Sequence, residues 1–260
     1  MSNRSQSRAK KSAPTPLRPG SPARKIGAAL ALLAAVGLLF LAISQIGDRT
    51  ESEQPDKAAA TQSGESEMYR QLAAFARRDA ADPMARGSVT APVVMIEYSD
   101  FQCPFCRQFA QNTEPELIEK YVDSGQLRIE WRNLAIFGEE SELAARAAWA
   151  AGQQGKFPEM HAIMFEHSPA KKNTGVYTAD QLTQWAGQAG VADLTRFRAD
   201  MDSDAARAAV NTDVDEAVGI GINSTPAFLI NGRPVLGARP IEQMIAVIEA
   251  GLQDDTEAGR

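Results

Sequence analysis

Cys103 and Cys106 are the only cysteines in a chain of 260 residues, and just two residues separate them. Their setting constrains the fold more than any other feature. An apolar run fit for a buried strand, Val93 to Tyr98, precedes them, and helical spacing follows. Where a strand hands over to a helix at a C-x-x-C pair, the first sulfur meets free backbone amides and the positive end of the helix dipole. Both stabilise a thiolate, so the pKa of Cys103 is expected below the ~8.5 of a free thiol. A thiolate is the species that attacks or leaves in disulfide exchange. Cys106, one turn deeper, is expected to be the buried resolving thiol. Pro104 in the first helical turn needs no amide partner there. Two other readings of the pair stand beside this one. A zinc site would need two more ligands, and the only histidines, His161 and His167, stand six apart, so not on one helix face. A purely structural disulfide closing so short a loop would stabilise little.

The formal net charge of −6 is unevenly placed. Residues 1–47 hold seven basic residues and no acid, leaving 20 Lys and Arg against 33 Asp and Glu in the rest, a net of −13. An acidic body argues against a nucleic-acid partner. From Ile26 to Gly47 run 22 uncharged residues, 17 of them apolar, with basic residues before and Asp48, Glu51 and Glu53 after. A helix of roughly 20 residues crosses a ~30 Å hydrocarbon core. The flanking charges place the N-terminus in the cytoplasm and the remainder outside. A cleaved signal peptide is the competing reading; its apolar region usually spans about 7–15 residues. The expected organisation is therefore a cytoplasmic disordered tail at 1–25, a transmembrane anchor at 26–47, a polar linker at 48–66 and an extracytoplasmic domain at 67–254.

Within that domain, Met68 to Ala81 reads as a helix ending before Asp82-Pro83. A helix is expected from the cysteines to about Ser124, kinked by Pro115. Gln126 to Asn133 alternates (Leu127, Ile129, Trp131) as a second strand. Helical spacing then dominates: Ser141 to Gln154, Phe157 to Glu166, Thr178 to Ala189, Asp193 to Met201 and Ser203 to Gly219, with Thr178 and Gln181 placed as a capping box. Ala227 to Ile230, the Asn231-Gly232 turn and Val235-Leu236 form a hairpin, and Ile241 to Ala250 a last helix. The order β-α-β, a block of helices, then β-β-α is an α/β sheet with a helical insertion at about 139–220 between its halves.

Two motifs then meet. Glu97-Tyr98-Ser99-Asp100-Phe101-Gln102-Cys103-Pro104-Phe105-Cys106 and, about 120 residues on, Gly221-Ile222-Asn223-Ser224-Thr225-Pro226-Ala227-Phe228-Leu229-Ile230-Asn231-Gly232 resemble the DsbA-like thioredoxin-fold thiol–disulfide oxidoreductases, over roughly residues 68–253. The resemblance implies a thioredoxin fold and redox chemistry by a Cys103–Cys106 disulfide, with no other cofactor and no metal. It implies that Pro226 is cis and faces the disulfide, and that the backbone of Thr225 pairs with substrate. It also implies that Glu97 is a buried acid acting on the proton of the resolving thiol, although by position alone Glu97 could equally face solvent at a strand end. Pro104 and Phe105, with Tyr98 and Phe101, are expected to offer an apolar rim to unfolded segments. Expected partners are exported proteins with Cys pairs and a quinone-linked membrane reoxidase of the DsbB or VKOR type. The strongest oxidants of the family carry His where Phe105 stands, which leaves open a reductase or isomerase on the same fold. A redox-inactive binding or chaperone module is a further alternative.

Overall fold

A computed structural model describes residues 65–258. The expected tail and anchor lie outside the described residues, among which no helix is long and apolar enough to cross a membrane.

The chain opens with a helix over residues 65–73 (α1), then β1 Ala85–Arg86, β2 Val93–Ser99, α2 Pro104–Asn112 and α3 Glu114–Leu117, which runs on as a π-helical turn over Ile118–Val122. β3 Leu127–Asn133 follows. Five helices come next: α4 Glu139–Gly152, α5 Phe157–Glu166, α6 Ala179–Gln188, α7 Leu194–Met201 and α8 Asp204–Gly219. β4 Ala227–Ile230, β5 Arg233–Leu236 and α9 Ile241–Ala258 close the domain. The sheet order is β1-β3-β2-β4-β5. β2 and β3 run parallel; β1, β4 and β5 each pair antiparallel. This is a thioredoxin-like α/β sheet with a helical insertion after β3.

Every residue of β2 is buried, as a strand with both faces covered must be. Val93 and Met95 pack under Phe109, Leu117, Met244 and Ile248 on one face. Val94, Ile96 and Tyr98 meet Leu72, Phe75 and Ala217 on the other. The insertion builds its own core, from Ala147 and Met160 to Trp185 and Phe197, and that core reaches Cys103 and Cys106.

Two elements differ from expectation for identifiable reasons. α1 stops at residue 73 rather than running to Ala81, because the amides of Arg77 and Arg78 donate to the two oxygens of Glu130 at 2.9 and 2.8 Å, with Arg78 at φ 45°. The helix after the cysteines breaks at Thr113 rather than merely bending. Pro115 supplies no N–H to the turn before it, and the chain restarts as α3. β3 alternates in sequence yet is buried throughout. Its second face carries Arg128, Glu130 and Arg132. Arg128 Nε and Arg132 Nη2 reach Glu130 at 2.8 and 3.0 Å, and Arg132 Nε reaches Glu216 at 3.1 Å. Buried charges are tolerated when so paired. β1 carries no two-residue signal in the sequence. The caps follow their residues: the hydroxyls of Thr178 and Ser203 accept from Gln181 N and Ala206 N at 3.2 and 3.1 Å.

Candidate active site

β2 ends at Ser99, and Cys103 is the N-cap of α2, with extended dihedrals (φ −81°, ψ 119°) and Pro104 in the first turn. The turn between them is tied down. Cys103 N donates to Asp100 O at 3.0 Å. The Asp100 carboxylate accepts from Gln102 N at 2.8 Å, Ser141 Oγ at 2.7 Å and Ile136 N at 2.9 Å. The Gln102 side chain accepts from Asn173 N at 2.6 Å and donates to Ser141 Oγ at 2.9 Å. Tyr177 and Ser168 hydroxyls both donate to Phe101 O at 2.8 Å. The insertion thus holds the peptide that carries the thiols. Asp100 and Gln102 stand inside the quoted motif, but without their distant partners nothing in the sequence singled them out.

Pro226 closes the other side. The Thr225–Pro226 peptide is cis, and the Cys103 thiol donates to Thr225 O at 3.3 Å. Residues 122 apart in sequence thereby share one site. Cys106 is 0% exposed, one turn into α2. Cys103 is only 2% exposed. Phe105, between them, is 60% exposed.

The two sulfurs differ sharply in acidity. The Cys103 thiol is lowered to about 6. The largest cause is the hydrogen bond from Cys106, opposed by burial and supported by the Thr225 side chain and the amides of Cys106 and Phe105. Burial, then the hydrogen bond to Cys103 and its charge, push Cys106 well above the ordinary thiol range. A low-pKa sulfur at the helix start and a high-pKa sulfur one turn deeper suit attack and resolution respectively.

Glu97 lies on β2 below this pair, opposite Trp131 on β3 and Phe228 on β4. It is fully buried, and neither carboxyl oxygen has a partner at full hydrogen-bond geometry among the described residues. Burial first, and then the field of Glu114, raise it well above the usual carboxyl range. Two rim residues are not where the sequence reading put them. Tyr98 is buried on the far face and donates to Glu216 Oε1 at 2.8 Å. Phe101 is buried, stacked on Trp131 at 5.1 Å. Alternation along β2 turns Tyr98 away from the thiols, and the insertion covers Phe101. His161 is buried among Phe101, Trp131, Phe157 and Phe165, with its pKa pushed down to about 3 by burial.

A thioredoxin family model matches residues 79–250. The Na(+)/H(+) antiporter NhaA 1 of Salinispora arenicola is 33% identical over 184 residues, covering 67% of this chain. The match spans only 26% of the antiporter, about a quarter of its length. A protein named "Probable disulfide bond formation protein D" from Bacillus cereus is 28% identical over 150 residues, covering 56% of this chain and 68% of that one. The crystal structure of oxidised BdbD from Bacillus subtilis superposes with a TM-score of 0.62 at 23% identity, covering 66% of this chain and 94% of that one, and shares the fold. A match over most of the described domain, around a C-x-x-C helix start and a cis-proline loop in contact, is decisive: the chain belongs to the thioredoxin family.

Proposed function

We propose that the protein is a membrane-anchored extracytoplasmic thiol–disulfide oxidoreductase that oxidises Cys pairs in exported proteins. One observation carries this reading: Cys103 sits at a helix N-terminus, against the Thr225 carbonyl, with its thiol lowered to about 6. At neutral pH such a sulfur is mostly thiolate, and hence a good leaving group from a disulfide. A substrate thiolate attacks Cys103 Sγ, the Cys103–Cys106 bond breaks, and Cys106 takes the electron pair and a proton. A second substrate thiolate then attacks the substrate sulfur and releases Cys103 as thiolate. Thr225, beside Pro226, offers its backbone to an extended substrate segment, and exposed Phe105 with Pro104 offers apolar contact. Glu97 serves as the buried acid for the Cys106 proton. The seven basic residues before Ile26 and the uncharged run to Gly47 support an anchor with the domain outside. A quinone-linked membrane reoxidase of the DsbB or VKOR type would regenerate the disulfide.

Phe105 favours a second reading, that of a reductase or isomerase. It cannot stabilise the neighbouring thiolate as a His would. Equilibration of the Cys103–Cys106 pair with glutathione separates the two. A potential near about −120 mV supports the oxidase, and one near about −270 mV supports the reductase. Failure to equilibrate at all would leave the pair a structural element and remove both.

A further inference from the structure

Beyond residue 47 this chain is acidic, with 20 Lys and Arg against 33 Asp and Glu. The loops that border Cys103 break that pattern. Residues 168–176, between α5 and α6, include Lys171 and Lys172 and no acid, and both lysines are exposed. This loop is tied to the cysteine peptide. Gln102, the neighbour of Cys103, accepts from Asn173 N at 2.6 Å and donates to Asn173 Oδ1 at 3.2 Å. Arg107 Nη1 donates to Ser168 O at 2.8 Å. The Lys172 ammonium lies 3.3 Å from the centre of the Phe137 ring. Phe137 follows Ile136, whose amide donates to the Asp100 carboxylate at 2.9 Å. Groups bonded to the Asp100–Gln102 peptide therefore fix both ends of Lys172: its backbone through Asn173 and its ammonium through Phe137. A third exposed cation, Arg239, stands two residues past Gly237, whose amide donates to Pro226 O at 2.8 Å.

We infer that Lys171 and Lys172, together with Arg239, select substrate segments that carry acidic residues beside the reacting cysteine. The inference rests on the proposed thiol–disulfide exchange and names a substrate class for it. Elsewhere on the surface, Arg196, Arg198 and Arg207 pair with Asp200, Asp180 and Asp204. Lys171, Lys172 and Arg239 pair with no carboxylate among the described residues. Of the acids that flank the loop, Glu140 is occupied, accepting from the amides of Gly175 and Tyr177 at 2.9 and 3.3 Å. Glu166 lines a cavity between α2, α3 and α5. That leaves exposed Glu139, at the start of α4, against the two lysines. At ~0.15 M ionic strength charges are screened over about 8 Å. A carboxylate next to the reacting cysteine thus feels the nearby cations, while the acids of distant faces are largely screened. Exposed Phe105 adds apolar contact but no charge, so the sign preference falls to the cations. The lysines alter encounter and binding and leave the exchange itself unchanged. The substrate's two thiols become a disulfide, and the Cys103–Cys106 disulfide takes up their electron pair. One proton goes to Cys106 and the other to water, since Cys103 stays a thiolate at neutral pH.

The test uses the oxidised full chain in an uncharged detergent, in single turnover. Its substrates are reduced peptides with one Cys pair flanked by Glu or by Lys. Each rate is divided by that of the same peptide with bis(2-hydroxyethyl) disulfide, a neutral oxidant, which removes the effect of the flanking charge on the thiols themselves. The corrected Glu-to-Lys ratio should be about fivefold at about 0.1 M salt and fall towards one at about 1 M, where screening acts over about 3 Å. Changing both Lys171→Gln and Lys172→Gln should bring the ratio below about twofold. Lys172→Arg should keep it, and Lys171→Glu with Lys172→Glu should invert it. Lys120→Gln, the same charge change on the exposed π-helical turn after α3, should leave the ratio in place. A parent ratio near one, a ratio that survives the loss of both lysines, or an equal fall in Lys120→Gln would overturn the selection of acidic segments and leave the exchange reading standing. A parent that oxidises none of the peptides overturns both.

Discussion

A single helical turn separates two chemically identical side chains whose acidities move in opposite directions. Cys103 gains a donor in Cys106, whereas Cys106 loses its water and faces the charge of Cys103. Iodoacetamide should therefore alkylate Cys103 with an apparent pKa near 6 and leave Cys106 nearly untouched below pH 9. Equal labelling of the two would contradict the assignment. The potential carries the same signature. Below the Cys103 pKa, reduction takes up two protons for two electrons. Above it, reduction takes up one. The pH dependence of the potential should accordingly bend from about 59 to about 30 mV per unit, with the break near pH 6. The sign also holds for stability. A depressed pKa stabilises the reduced fold at pH values above the free-thiol range, and that contribution fades as pH falls through 6. A straight line of 59 mV per unit from pH 5 to 8 would show Cys103 to be an ordinary thiol.

At the scale of elements, strands and helices with a single period were legible in the sequence, and elements held by distant partners were not. Ala227–Ile230 and Phe157–Glu166 agree with the sequence reading to the residue, because local hydrophobic spacing and turn residues determine them. The site was legible for the same reason: its cysteines and proline lie in two short motifs. The early end of α1 was not, since Glu130, 52 residues beyond Arg78, takes the amides that a longer helix would have used. Nor were Asp100 and Gln102, whose partners Ser141 and Asn173 are 41 and 71 residues away. Glu130 is the fully buried hub of this arrangement, joined to Arg128, Arg132 and the amides of Arg77 and Arg78. Burial alone would raise its pKa, but these partners hold it below 4.5. Glu130→Gln removes the carboxylate that Arg128 and Arg132 share, leaving Arg132 with Glu216 and Arg128 with the carbonyls of Gly87 and Asp79, at a cost of about 3 kcal/mol. Urea unfolding should show that loss at pH 7. The parent should lose the contribution as pH falls below 4.5, so the two stabilities converge in acid. A gap that stays constant from pH 7 to 3 would rule out the ion pairs as its source.

For the whole molecule, the division of labour lies along the chain. Every residue of the site, from Glu97 to Pro226, belongs to the sheet, to α2 or to a loop joined to them, and all lie within the match at 79–250. The basic, apolar segment before Asp48 contributes none of them. An anchor that only places the domain should be separable from its chemistry. A chain lacking residues 1–47 should lose membrane association while its exchange rate with glutathione stays within about twofold of the full chain. The complementary measurement uses the full chain in cells. A reporter fused after residue 66 should be active only when exported, and an alkaline wash should leave the protein in the membrane. A released fragment beginning near Gln45 would show a cleaved leader instead. Sedimentation of the shortened chain with membranes would place the anchor elsewhere. A loss of exchange with the domain still folded would mean that the first 47 residues act in catalysis, against a site built entirely between β2 and β4.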